Sequence, residues 1–144
     1  MLRKGFTLIE LLIVMAVIAV LIGIAIPSFR GMQEEAKKTK AGGDLRVLKL
    51  AVEAYNAKNS AYPSVLASVE GESVVQTLPK DPFATAADTN YGYVLTGTYY
   101  AIYSVGPSNA TTAPTITDGV VTIGGAGQIG TTNGSVSPVN SDWK

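Results

Sequence analysis

The chain has 144 residues, enough for one domain with an appendage. It contains no His and no Cys, which excludes a Ser-His-Asp triad, a thiolate nucleophile, disulfides and metal sites built from either residue. Its 11 basic residues balance 11 acidic ones, so we expect no nucleic-acid partner, and the acids show no spacing suited to acid–base catalysis, so we expect no enzyme.

Most of the apolar residues lie in one run at the N-terminus. Residues 6–26 carry a single charge, at Glu10, and as a helix they would span about 31 Å, which matches the bilayer core. Arg3 and Lys4 precede the run, so the positive-inside rule leaves the extreme N-terminus in the cytoplasm. A secretory signal peptide would have a shorter apolar region and a small-residue cleavage site. The run therefore predicts a transmembrane helix, with everything after Pro27 outside the inner membrane.

Glu10 and the pair Gly23 and Pro27 are the unusual residues of this run. A carboxylate in a transmembrane helix costs about 2.5–3.5 kcal/mol at the bilayer centre and less towards the interface. Glu10 either reaches the headgroups at the cytoplasmic end or finds a cationic partner within an assembly. Pro27 removes the hydrogen bond to the Gly23 carbonyl, and Gly23 weakens the same turn. The pair predicts a kink or a helix break.

The helical pattern continues beyond Pro27. Apolar residues recur at spacings of three and four, which predicts an amphipathic helix packed on a core. This stripe consists of Phe29, Met32, Ala36, Leu45, Leu48, Val52 and Tyr55. Lys49 and Glu53 stand four residues apart and are interpreted as a solvated pair. We expect one helix from Phe6 to about Lys58, ahead of a proline stop signal.

The remaining chain favours β-structure and loops. The predicted elements are a helical turn at 64–69, an extended piece at 74–78, a rigid turn at 79–82, strands at 91–95 and 98–105, and a third strand at 120–123. Thr96-Gly97 is a two-residue hairpin signal. Period two places Tyr91, Tyr93 and Leu95 on one face and the odd-numbered residues of 99–105 on one face of the next strand. We interpret these tyrosines as core packing against the helix, and the tract beyond as mainly surface loop.

One glycine pattern invites a different interpretation. Residues 125–130, GAGQIG, match the G-x-G-x-x-G pattern of dinucleotide sites and follow a predicted strand. Turn residues rather than a helix follow them, so no helix N-terminus is available to hold a phosphate. The segment predicts a Gly-rich turn.

The segment KGFTLIEL at residues 4–11, with the apolar run and the proline that ends it, resembles the processing motif of type IV pilins and of the pseudopilins of type II secretion. The resemblance covers residues 1 to about 41. It implies that a prepilin peptidase cuts between Gly5 and Phe6 and methylates the new amine. It implies that Glu10 is the assembly carboxylate, which meets the Phe6 ammonium of a neighbouring subunit. It also implies that the stretch 23–27 can lose helix during assembly.

A second resemblance lies further along the chain. The segments LPKDPF at 78–83, YGY at 91–93 and YSVG at 103–106 resemble the major pseudopilin of type II secretion, and Asp142-Trp143 resembles its terminal aromatic. Major pseudopilins carry an acidic calcium loop after the third segment. Here residues 107–112 contain no acid, and Asp118 is the one nearby carboxylate, so the resemblance leaves calcium open with Asp118 as candidate ligand.

Together these observations predict an α+β, pilin-like fold. A long N-terminal helix, half transmembrane and half amphipathic, would pack on a small antiparallel sheet with long loops. The expected organisation is a cleaved leader at 1–5, a transmembrane and assembly helix at 6–27, and an extracytoplasmic domain at 28–144. That domain would comprise the amphipathic helix 28–58, a variable region 59–90, and the sheet and loops 91–144.

The favoured function is a pseudopilus subunit that polymerises from the bacterial inner membrane and drives type II protein secretion. The chain would cross that membrane once with its C-terminal domain in the periplasm, and assemble as a periplasmic or surface filament. The resemblance implies four kinds of partner: copies of itself, the prepilin peptidase, the inner-membrane assembly platform and the minor pseudopilins. The alternatives are a type IV pilus subunit for adhesion, motility or DNA uptake, and a singly anchored binding domain, against which the processing motif argues.

Overall fold

The computed structural model describes residues 5–72, 74–86, 89–137 and 142–143. The chain divides into two compact units, Met1–Ala36 and Lys37–Lys144. The described residues form a long helix, a short 3-10 helix and six strands. In chain order these are α1 (Leu8–Asn59), the 3-10 helix (Leu66–Val69), β1 (Gly92–Thr96), β2 (Tyr99–Ser104), β3 (Thr115–Thr117), β4 (Val120–Thr122), β5 (Ile129–Thr132) and β6 (Ser135–Ser137).

Helix α1 belongs to both units. Its described backbone is helical through Gly23 and Pro27, so the isolated chain is not broken there, and loss of helix on assembly stays a prediction. After Asn59 the chain leaves the helix at Ser60, which has a φ of 55° and donates its N–H to the Asn56 carbonyl at 2.7 Å. A left-handed residue directly after the last turn is a common way to end a helix. The helix therefore ends close to the predicted position.

The core of the unit Lys37–Lys144 lies between α1 and the first sheet. Leu45, Leu48 and Val52 of α1 are at most 2% exposed, and they cluster with Tyr100 and Ile102 of β2. This part of the predicted amphipathic stripe is confirmed, as is the α+β fold class.

The N-terminal part of the stripe differs from the prediction. Phe29 and Met32 are 61% and 59% exposed, and Ala36 is exposed as well, so the expectation that these three pack on a core is wrong for the isolated chain. The buried cluster begins at Ala41. Helical periodicity reveals which side of a helix is apolar, but it does not reveal what covers that side.

The first sheet is antiparallel, with strand order β1-β2-β5. Thr96 pairs with Tyr99, so the hairpin loop consists of Gly97 and Thr98 rather than the predicted Thr96 and Gly97. Gly97 has a φ of 61°, whereas Thr98 is not left-handed. A positive φ at the first central residue alone corresponds to a type II′ turn, whose twist matches that of the flanking strands.

The faces of this sheet follow the period of two. Tyr93 of β1 packs towards α1, as predicted. From β2 it is Tyr100 and Ile102 that do so, while Ala101 and Tyr103 pack in a second cluster, against the other sheet. The interpretation of the tyrosines as helix-facing core is therefore confirmed for Tyr91 and Tyr93 and corrected along β2.

The second sheet has strand order β3-β4-β6 and was not predicted. Strands β3 and β4 are antiparallel, and β4 and β6 are parallel. The β3–β4 loop is Asp118-Gly119, whose φ angles of 50° and 77° correspond to a type I′ turn. The predicted third strand is confirmed as β4, but it lies in this sheet.

The tract after β2 is thus not the surface loop that we expected. All four residues of β5 are buried. They follow the glycine-rich turn, and a strand rather than a helix comes next, as the interpretation of residues 125–130 required. The helical turn predicted at 64–69 is the 3-10 helix, whereas the extended piece at 74–78 is reduced to a single bridge between Glu70 and Val75.

Candidate processing and assembly site

The bond between Gly5 and Phe6 lies outside the helix. Residues 5–7 have no regular secondary structure, and the Phe6 side chain is 81% exposed. A Cβ added to Gly5 would meet no heavy atom within 4 Å, so packing in the described chain does not require glycine there. An exposed, non-helical bond is accessible to a peptidase. Arg3 and Lys4, the predicted basic residues of the leader, lie outside the described residues.

Thr7 and Glu10 cap the first turn of α1. The Glu10 N–H donates to Thr7 Oγ1 at 3.3 Å, and the Thr7 hydroxyl makes a long hydrogen bond of 3.5 Å to Glu10 Oε2. Thr-x-x-Glu is the spacing of a capping box, in which the first side chain satisfies an otherwise unpaired N–H of the helix. The sequence prediction overlooked this signal and placed the helix start at Phe6. Glu10 therefore has a local structural role in addition to its predicted role in assembly.

The first half of α1 exposes almost all of its apolar side chains. Every large apolar residue from Leu8 to Ile26 is between 48% and 84% exposed. By length and composition α1 is the one described helix that could cross a membrane. A continuous apolar surface of this kind needs lipid or protein around it. The predicted transmembrane run thus has the exposure that a membrane or an assembly would require.

In the unit Lys37–Lys144, Asp81 joins two of the segments on which the second resemblance depends. It is 7% exposed. Its Oδ1 accepts the Ser104 hydroxyl at 2.8 Å and the Phe83 N–H at 2.9 Å, and its Oδ2 accepts the Val105 N–H at 2.9 Å. The sequence predicted only a rigid turn at 79–82. The structure shows that the acid of this turn fixes the end of β2.

Two acids of α1 accept hydrogen bonds from tyrosines of the interface. The Tyr91 hydroxyl donates to Asp44 at 2.9 Å, and the Tyr100 hydroxyl donates to Glu53 at 2.6 Å. Burial, followed by these hydrogen bonds, raises the pKa of both tyrosines well above the usual value of a phenol. The arrangement ties α1 to the first sheet through bonds to charged groups.

The predicted solvated pair of Lys49 and Glu53 is therefore wrong. Lys49 donates to the Thr132 carbonyl of β5 at 3.0 Å, and Glu53 also accepts the Tyr62 hydroxyl at 3.2 Å. Both side chains reach partners distant in sequence because they flank the buried stripe of α1. Helical spacing reveals that two charges can meet, but not that better partners lie nearby.

Trp143 closes the C-terminal end of the described chain. It is 6% exposed, and its indole N–H donates to the Gln128 carbonyl at 3.2 Å. Gly130 of β5 forms a parallel β-bridge with Trp143. A Cβ added at Gly130 would lie 2.7 Å from the indole ring. Glycine at this position thus allows the ring to pack on β5.

Asp118, the candidate calcium ligand, occupies the type I′ turn. Asp-Gly is the preferred dipeptide for this turn, so the fold accounts for Asp118 without a metal. A Cβ on the neighbouring Gly119 would lie 2.7 Å from the ring of Tyr99, which places the turn at the Tyr99 end of β2. Within the described ranges, no three acidic side chains come together as a metal site would require.

Comparisons with known proteins match the N-terminal motif and, with several relatives, half or more of the chain. A family model described as the prokaryotic N-terminal methylation motif matches residues 1–26. The type II secretion system core protein G of Pseudomonas aeruginosa is 28% identical over an alignment of 122 residues, and the alignment covers 72% of this chain and 83% of that protein. The core protein G of Escherichia coli K12 is 35% identical over 77 residues, 54% of this chain and 53% of that protein. The chain is therefore similar to type IV pilin-like proteins, and in particular to the major pseudopilin of type II secretion.

A further relative carries the same name as these two proteins. The core protein G of Klebsiella pneumoniae is 33% identical over 95 residues, 64% of each chain. The chain thus spans most of the length of the Pseudomonas relative, about half of the Escherichia relative and just under two thirds of the Klebsiella relative. The resemblance to pilin-like proteins and to the major pseudopilin, first seen in the sequence, is confirmed.

Proposed function

We propose that this chain is a structural subunit of a pseudopilus, a helical filament that grows from the inner membrane through α1 and drives type II protein secretion. The observation that carries the proposal is the methylation motif at residues 1–26 in a chain whose relatives are named core protein G. The role is structural rather than enzymatic. The names of the relatives favour secretion over the pilus functions of adhesion, motility and DNA uptake.

In the proposed function, insertion into the inner membrane comes first and N-terminal processing follows. The leader faces the cytoplasm, α1 crosses the bilayer once, and the C-terminal domain lies in the periplasm. A prepilin peptidase cuts before Phe6, whose side chain is exposed just ahead of the helix, and methylates the new amine. Removal of Arg3 and Lys4 changes the formal side-chain charge from 11 − 11 = 0 to 9 − 11 = −2.

Assembly then brings copies of the chain together with the inner-membrane platform and the minor pseudopilins. In the isolated chain the Glu10 carboxylate accepts one long hydrogen bond, from the Thr7 hydroxyl at 3.5 Å. In the filament, the Phe6 ammonium of the neighbouring subunit meets Glu10, and both charges are neutralised in a medium of low dielectric constant. The first half of α1 supplies the apolar surface that buries them.

The test is a pair of substitutions at Glu10 in cells that contain the secretion system. Glu10→Ala and Glu10→Gln should both be processed and inserted, because they make the run less polar. Neither should form filaments, because the Phe6 ammonium would be buried without its charged partner, a loss of about 3–5 kcal/mol at every contact between subunits. Filament yield by electron microscopy is compared with the membrane pool by immunoblot, and intact mass reports the processed N-terminus.

Glu35→Ala is the matched control, since Glu35 is an exposed acid of the same helix beyond the apolar run. It should polymerise like the unchanged chain. Normal filaments from both Glu10 variants would overturn the pairing of Glu10 with Phe6. A mature chain that still begins at Met1 would overturn the proposed function as a whole.

A further inference from the structure

The loop that follows β2 packs very closely against the glycine-rich turn before β5. A Cβ added to Gly106 would lie 1.8 Å from the Gly127 carbonyl oxygen, and one added to Gly124 would lie 2.2 Å from the Thr112 carbonyl oxygen. A Cβ added to Gly125 would lie 2.5 Å from that of Ala110. The two segments, which we call the β2–β3 loop (residues 105–114) and the glycine turn (residues 124–127), therefore approach backbone to backbone.

A buried side chain joins them. Gln128 is fully buried, at 0% exposure. Its Nε2 donates to the Thr112 carbonyl at 2.8 Å, and its Oε1 accepts the Gly124 N–H at 3.2 Å. One amide group thus satisfies an acceptor of the β2–β3 loop and a donor of the glycine turn. Because an amide carries both a donor and an acceptor, a carboxylate at this position could not make both bonds.

Residues outside the two segments also hydrogen-bond to Gln128 and to the loop. Its backbone carbonyl accepts the indole N–H of Trp143, and the loop is fixed at its start by Asp81, which bonds to Val105. Asn109 adds a bond of 2.7 Å from its Nδ2 to Thr85 Oγ1. Buried hydrogen-bond networks in which every member has a partner are the ones that give a loop a single conformation.

The donor set of the loop does not suit calcium, the ion that the resemblance implies. Calcium takes about six to eight oxygen ligands, carboxylates among them, at about 2.3–2.6 Å. Residues 107–112 include no acid. Asp118 is separated from the last residue of the loop by the three-residue strand β3, which corresponds to about 13 Å at the usual rise of a strand. The carboxylate of Asp81 already accepts three hydrogen bonds.

We propose that Gln128, rather than a metal ion, holds the β2–β3 loop of this chain, so that the folding of the globular unit is independent of calcium. The amide plays the structural part that a bound ion would play, because it hydrogen-bonds to both segments, which are not paired as β-strands. The inference concerns the globular unit and holds whether or not the chain forms a pseudopilus.

The first measurement uses the full-length chain in detergent micelles without any substitution. Its thermal unfolding midpoint should be the same in a calcium chelator and in millimolar calcium, because an ion that bound the folded chain would raise the midpoint. The rate at which a protease cuts the β2–β3 loop should also be the same in both solutions. A midpoint raised by several degrees in calcium, or protection of the loop by calcium, would overturn the proposal.

The second measurement substitutes the amide. Gln128→Ala should lower the midpoint by about 5 °C or more and should increase loop cleavage several-fold, because the Thr112 carbonyl and the Gly124 N–H lose their partner and a fully buried side chain is removed. Gln128→Glu keeps the shape but cannot donate to Thr112, so it should behave similarly. Gln76→Ala is the matched control, since the Gln76 amide makes an exposed bond of 3.4 Å, and it should leave both readouts unchanged.

The two measurements fail separately. If Gln128→Ala does not fold, Gln128→Glu and the comparison in chelator and calcium still decide the question. If the Gln128 variants match the Gln76 control, the loop is held by something other than the amide and the proposal is wrong.

Discussion

Two neighbouring tyrosines of the helix–sheet interface differ mainly in what their hydroxyl groups contact. Their rings stack with centroids 6.2 Å apart. The Tyr100 hydroxyl donates to Glu53 at 2.6 Å, whereas the buried Tyr93 hydroxyl has no hydrogen-bond partner anywhere in the described ranges. Since the two side chains lie in the same cluster, comparing them isolates the contribution of one hydrogen bond to stability.

We expect opposite results when each hydroxyl is removed. Tyr100→Phe should lower the free energy of unfolding by about 1.5–3 kcal/mol, because a bond to a charged group is lost. Tyr93→Phe should leave it unchanged or raise it by about 1 kcal/mol, because an unpaired buried hydroxyl no longer has to be desolvated. Denaturant unfolding of the full chain in detergent, followed by the fluorescence of Trp143, measures both. Equal losses in the two variants would contradict this explanation.

Helices and turns make opposite demands on glycine, and the chain offers a matched pair. Gly43 lies inside α1, and Gly97 lies in the type II′ turn with a φ of 61°. An added Cβ would meet no heavy atom within 4 Å at either position, so the backbone conformation alone decides the effect of a substitution.

Gly43→Ala should therefore raise the free energy of unfolding by about 0.5–1 kcal/mol, since alanine loses less entropy in a helix. Gly97→Ala should lower it by about 1–2 kcal/mol, because an L-residue is strained in a left-handed conformation. The same denaturant titration measures both variants. Two shifts of the same sign would mean that packing, not the backbone, dominates at one of the positions.

The sequence predicted α1 and the first hairpin because their signals are local. A long apolar run, a stripe at helical spacing and a Gly in a two-residue loop each act within a few residues of chain. The hairpin was placed one residue too early since two adjacent loop pairs share the same glycine. The second sheet was not predicted because its strands are only three residues long and rich in Thr and Ser. Three residues are too few for a period of two to be recognised in the sequence. Besides the capping signal at Thr7 and Glu10, the prediction overlooked the Asp-Gly dipeptide at 118–119.

The candidate site divides in the same way. The predicted cleavage position and Glu10 stand in a contiguous motif, so they could be proposed from the sequence alone, and their roles stay predictions. The contacts of Asp81 and Gln128 join segments more than ten residues apart, and no spacing rule connects such positions. Only the fold reveals that these side chains hold the loops.

For the molecule as a whole, buried tyrosines make stability sensitive to alkaline pH. An unfolded tyrosine has a pKa of about 10. Burial raises the pKa of Tyr93 to about 12 in the folded chain, and it raises that of Tyr91 and Tyr100 as well. Above about pH 10 the unfolded chain therefore binds fewer protons than the folded chain, so the free energy of unfolding decreases as pH rises. Below that pH the contribution is fully present.

We expect the denaturant midpoint of the full chain to be level from about pH 8 to about pH 9.5 and to fall steadily above about pH 10. The double variant Tyr91→Phe with Tyr100→Phe should start lower, because it lacks two hydrogen bonds, and should fall less steeply. The two titrations are measured side by side in the same detergent. Parallel curves would show that other groups cause the alkaline loss.

The exposed apolar surface at the start of α1 has a consequence for the reversibility of the proposed filament. In the bilayer this surface is solvated by lipid tails, and in the filament by the helices of other subunits. Lipid tails are about as apolar as leucine, so exchanging one for the other yields little hydrophobic free energy in either direction. Under the proposed function, growth would then depend on the pairing of Glu10 with Phe6 and on the assembly machinery. A subunit released at the base of the filament would re-enter the bilayer without loss, and the membrane would serve as a reservoir from which the same molecules are drawn repeatedly.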